Sequence, residues 1–118
     1  MLTERYTVVL FGINTRYYTN EYVAHIWEKS ANTEYQNSGI FVTARIDTNR
    51  LVCGEIRGCT LGETAFVIIA VRNPAESLIQ QEFYDSFKNV LNYVRQDLGQ
   101  PNMTIAIDEV DYFYFTQS

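Results

Sequence analysis

The sequence predicts an α+β fold: two β-α-β repeats whose mixed sheet is covered by two helices on one face. Three observations in the chain of 118 residues predict it. Two uncharged, β-branched runs, YTVVLFGI from Tyr6 to Ile13 and AFVIIAV from Ala65 to Val71, read as strands buried on both faces. Each run is followed by a stretch with helical periodicity. Each helix is in turn followed by an extended segment, giving the order β-α-β-β-α-β.

Taken in order, the first strand should be central in its sheet. Thr19 or Asn20 offers the N-cap of the first helix, along which Tyr22, Val23, Ile26, Trp27 and Ser30 or Ala31 recur on one face. Gly39 closes the segment after the polar stretch Asn32 to Ser38, within which the helix ends. IFVTARI from Ile40 and LVCGEI from Leu51 are extended again. Between them Asp47 to Arg50 reads either as a hairpin turn or as a bulge in one long strand, because Arg50 stands where an Asn-Gly turn would place glycine. After the Ala65 strand, Asn73-Pro74-Ala75-Glu76 carries the N-cap, the N1 proline and the N3 glutamate of a helix start. Leu78 or Ile79, Phe83, Phe87, Val90, Leu91, Val94 and Leu98 then keep the helical period up to Gly99 and Pro101. Met103 to Val110 is the last strand, and Asp111 to Phe115 an extended aromatic tail.

Composition narrows the function classes. A content of 47% apolar and 14% aromatic residues supplies one core without cross-links or a structural metal, so residues 1–118 read as a single domain. Fourteen acidic residues against nine basic ones, with no basic cluster, argue against nucleic acid as a partner. No apolar run is long enough to span a membrane and the first residues lack a secretory signal, so a cytoplasmic protein is expected. Cys53 and Cys59, with His25 as the one histidine, match no zinc pattern and are expected as ordinary reduced thiols. No cofactor motif is present; Gly58-Cys59-Thr60-Leu61-Gly62 has neither a P-loop lysine nor dinucleotide-binding spacing. His25 lacks the partners of a triad, and the adjacent Asp108 and Glu109 point to opposite faces of a strand, which disfavours a paired-carboxylate site. Helices on one face would leave the other, apolar sheet face open, which predicts a closed homo-oligomer built on that face.

From Gly39 to Val110 the chain resembles the carboxymethyl-hydroxymuconate isomerase branch of the tautomerase superfamily. The similar parts are Gly39-Ile40-Phe41 opening a strand, Thr64-Ala65-Phe66-Val67 opening the next, the long helix after it, and Ile105 to Val110 closing the sheet. The resemblance implies a homotrimer around packed sheets and an amino-terminal proline as general base. Here the second residue is Leu2 and the prolines are Pro74 and Pro101, so no catalytic residue is carried over. It also implies arginines that hold a carboxylate, at Arg45 and Arg72, although strand-end arginines paired to nearby acids are the plainer reading. Tyr112 and Tyr114 could line a pocket mouth, or the tail could add to a neighbouring subunit's sheet edge. Two function readings follow: a proline-less homotrimer binding a small carboxylate in an intersubunit cleft, or a non-enzymatic interaction protein using the same scaffold.

Overall fold

The computed structural model describes residues 1–14, 17–57 and 63–117. Its elements are β1 (Leu2–Phe11), α1 (Asn20–Ser38), β2 (Arg45–Leu51), a short 3-10 turn (Glu55–Arg57), β3 (Glu63–Val71), α2 (Gln80–Asp97) and β4 (Asn102–Asp111). The strands lie in the order β2-β3-β1-β4, so β1 is central as its composition predicts. Every neighbouring pair is antiparallel, which corrects the expected mixed sheet. Each helix does join two parallel strands, but those strands are not neighbours. β3 inserts between β1 and β2, and β1 between β3 and β4, so the two repeats interleave as a split, ferredoxin-like β-α-β arrangement.

Strand alternation decides where the core sits. Tyr6, Val8 and Leu10 of β1 and Phe66, Ile68 and Ala70 of β3 share one face and are buried against Val23, Ile26 and Trp27 of α1 and Phe83, Phe87, Val90 and Val94 of α2. The other face carries Thr7, Val9 and Phe11 beside Val67, Ile69 and Val71, all partly exposed and without a covering layer among the described residues. On β4, Asp108 stands opposite Arg5 and accepts two hydrogen bonds from its guanidinium, at 2.7 and 3.1 Å, in an exposed cross-strand pair.

α1 begins as its sequence predicts, with Thr19 Oγ1 accepting from the Tyr22 amide at 3.1 Å. It runs through the whole polar stretch to Ser38. Gly39 then takes φ of 78°, the left-handed conformation that ends a helix, and returns its N–H to Tyr35 O at 2.8 Å. Three other readings of the elements differ from the structure. Ile40 to Ala44 is not a strand, and Asp47 to Arg50 pairs regularly with β3 as neither turn nor bulge. α2 starts at Gln80 rather than at Pro74, because Asn73 to Ser77 forms a separate turn. Cys53 is disulfide-bonded rather than a free thiol, while Cys59 lies outside the described residues.

Candidate functional site

A cavity of about 540 Å³ opens at one end of the sheet. That size is within the range of roughly 300–1,000 Å³ that holds a drug- or nucleoside-sized molecule. Ile69 and Val71 of β3 form its floor on the open sheet face, beside Arg45, which stands opposite Ile69 in the β2–β3 register. Phe83 reaches it from the helix layer, so the cavity wraps the end of the sheet.

Three chain segments make the walls. Gly39 to Ala44 is held by Trp27, whose Nε1 donates to Val42 O at 2.9 Å, and by the Ile40 amide, which donates to Ser38 Oγ at 3.2 Å. Phe41 in this segment stacks edge-on against Tyr35, with ring centroids 6.4 Å apart. The second wall is the Asn73–Ser77 turn: the amides of Glu76 and Ser77 donate to Asn73 O, and that of Ala75 to Asn73 Oδ1. The third is the tail, tethered where the Tyr112 amide donates to Met1 O at 2.8 Å. Tyr112 and Tyr114 line the cavity, while Phe113 and Phe115 project outward, Phe115 with 87% of its surface exposed.

The structure thus brings Arg45, Tyr112 and Tyr114 together around one cavity, and adds Glu76 on the facing wall. Arg45 and Glu76 are both exposed, and neither takes part in an ion pair among the described residues. Arg72 is placed differently. It is only 7% exposed and is not among the lining residues. Its Nε and Nη2 donate to the two Glu4 carboxylate oxygens at 2.7 and 3.1 Å, and its Nη1 to Ser77 O at 2.9 Å. The hydrogen bond to Glu4 holds this guanidinium still more firmly protonated than usual.

Beside that pair Tyr6 is 1% exposed, and its hydroxyl has no hydrogen-bond partner. Burial, with the Glu4 charge, raises its pKa above the ordinary 10.0; Gln80 stands near enough to offset this slightly but not in hydrogen-bonding geometry.

Sequence reasoning missed Glu76 as a site residue. Its position in Asn-Pro-Ala-Glu signals a capping box, and only the break of the helix at Gln80 frees it to face the cavity. Among the described residues no group of three or more His, Cys, Asp or Glu side chains could hold a metal ion, and no helix is long and apolar enough to cross a membrane.

The fold and the sequence have relatives. A phage SAM lyase in its apo state superposes with a TM-score of 0.60 at 22% identity, covering 92% of this chain and 79% of its own. A phage SAM lyase in complex with S-methyl-5'-thioadenosine does so with a TM-score of 0.58 at 17% identity, covering 91% and 81%. No curated protein matches. The sequence profile of the SAM lyase family matches residues 1–116. This overturns the resemblance to the tautomerase superfamily, and with it the small-carboxylate ligand and the non-enzymatic alternative. Its matching stretches were core patterns that any β-α-β-β-α-β chain must supply, and Gly39-Ile40-Phe41 does not open a strand at all. The chain belongs to the SAM lyase family.

Proposed function

We propose that this protein cleaves S-adenosylmethionine to S-methyl-5'-thioadenosine, using the cavity between Arg45 and Glu76. The observation that carries this reading is the family match over residues 1–116. The cavity is suited to the substrate's parts. Phe41, Tyr112 and Tyr114 offer aromatic surface to adenine, Glu76 an anion to the substrate ammonium, and Arg45 a cation to one oxygen of its carboxylate.

A lyase adds no water. The Cγ–S bond breaks with its electron pair passing to sulfur, which leaves as a neutral thioether and needs no proton. The substrate's own carboxylate oxygen bonds to Cγ and closes a five-membered lactone, so atoms and charge balance. The sulfonium and carboxylate charges disappear together in this step, and a surrounding of low polarity favours it over the separated charges. Ile40, Ile69, Val71 and Phe83 supply that surrounding. The protein's task is to fold the substrate so that carboxylate and Cγ meet, with water kept away.

Calorimetric titration with S-methyl-5'-thioadenosine tests the reading. Saturable binding that weakens in Tyr112→Ala is expected, with Glu76→Gln unaffected because this product carries no ammonium; no binding to the unaltered protein would contradict the reading.

The same reading includes self-association as a homotrimer through the uncovered sheet face. Val9, Phe11 and Val67 support it, being apolar side chains left partly open on the same sheet face as the cavity floor. Native mass spectrometry should give three times the chain mass, and a monomer at micromolar concentration counts against it.

A further inference from the structure

We infer that the Glu4–Arg72 pair is a positioning clamp that holds the Asn73–Leu78 segment out of α2 and so keeps Glu76 facing the cavity. The inference rests on the proposed S-adenosylmethionine site for its kinetic consequence, though not for its structural one.

Asn73-Pro74-Ala75-Glu76 has every local feature of a helix start, yet the helix begins only at Gln80. In a helix starting at Pro74, the carbonyls of Ser77 and Leu78 would accept from the amides of Gln81 and Glu82. Arg72 Nη1 occupies both carbonyls instead, Ser77 O at 2.9 Å and Leu78 O at 3.4 Å. The guanidinium is itself fixed from the opposite side. Glu4 takes Nε and Nη2 in a two-pronged pair, the Arg72 amide donates to Glu4 O at 3.1 Å, and Thr3 Oγ1 donates to Arg72 O at 2.8 Å. Two consecutive residues of β1 therefore hold Arg72 by side chain and backbone at the point where β3 passes into the cavity wall.

A largely buried ion pair contributes little net stability compared with apolar packing, and its better attested use is to select one conformation. Here the alternative conformation is explicit: α2 extended back to Pro74. That extension would turn the wall carrying Asn73, Glu76 and Ser77 away from Arg45, and the cavity would lose its anion.

The test uses Arg72→Lys, which keeps the charge but not the fork, and Glu4→Gln, which keeps the shape but not the charge. Hydrogen exchange is expected to slow roughly ten-fold at amides 78 and 79, which gain the Pro74 and Ala75 carbonyls as helical acceptors, while α1 is unaffected. Circular dichroism should show added helix, and the Michaelis constant for S-adenosylmethionine should rise roughly ten-fold with kcat within about two-fold. A purely structural pair would lower the melting temperature without this localised pattern. Unchanged or faster exchange at amides 78 and 79 in both variants overturns the clamp. An unaltered protein that turns over no S-adenosylmethionine removes the functional reading instead, and the exchange measurement then decides the clamp by itself.

Discussion

Ser86 Oγ donates to Glu34 Oε2 at 2.9 Å, tying α2 to α1 through a carboxylate that is 4% exposed. Asn89 Nδ2 donates to the other oxygen at 3.2 Å, so the charge is met by neutral donors alone in the hydrogen bonds it makes. Glu34→Ala leaves these donors in the helix interface without their acceptor. The expected loss is about 1–3 kcal/mol, the usual cost of stranding a buried polar group, with Glu34→Gln losing less because its carbonyl still accepts. Urea unfolding of the two variants checks both the size and the order.

Tyr6→Phe should stabilise the protein. Its hydroxyl is buried without a partner, so removing it relieves a desolvation penalty of roughly 1 kcal/mol while the ring keeps its stacking with Tyr84 at 5.5 Å. The pH dependence has a definite sign. The folded-state pKa is raised above the ordinary 10.0, so the contribution of Tyr6 is intact below pH 10 and is lost as pH rises from there through the folded value. Thermal melts between pH 9 and 11 should fall more steeply for the unaltered protein than for Tyr6→Phe.

Trp27→Phe removes the indole N–H that holds Val42 O and leaves that buried carbonyl without its donor. A loss of roughly 1–3 kcal/mol follows. Weaker binding of S-methyl-5'-thioadenosine should accompany it, since the Gly39–Ala44 wall loses its anchor. Chemical denaturation and calorimetry on the same sample separate the two effects.

Glu76→Gln and Arg45→Ala each remove one charged contact proposed for the substrate. A charge-assisted hydrogen bond contributes about 1.5–3 kcal/mol, so kcat/KM for S-adenosylmethionine should fall roughly 10- to 100-fold. Stability should hardly change, because both side chains are exposed and neither forms an ion pair among the described residues.

What could be read from the sequence followed from local chemistry. The central place of β1 came from its uncharged run, the start of α1 from Thr19, and the end of α2 from Gly99, whose φ of 80° only glycine adopts freely. What could not be read depends on distant partners. Pro74 and Glu76 read as a helix start, but Arg72 takes the carbonyls that such a helix would use. The antiparallel sheet arises because the repeats interleave, and no local periodicity reports strand order. Arg45 entered as a ligand candidate through the resemblance, and Tyr112 and Tyr114 through the aromatic tail; all three line the cavity. Glu76 was not, since its role appears only once the chain breaks before Gln80. The family escaped notice for a related reason: the stretches Gly39–Phe41 and Ile105–Val110 describe a core, and cores of the same element order resemble one another across unrelated chemistries.

Turnover of S-adenosylmethionine by the purified protein in oxygen-18 water, followed by mass spectrometry, tests the central claim most directly. The expected result is S-methyl-5'-thioadenosine accumulating above the protein-free control, with an unlabelled lactone as the first co-product and slower accumulation at low substrate concentration in Glu76→Gln. No product above the control would contradict cleavage by this chain, and a first co-product already carrying the label would contradict a lyase step that excludes water.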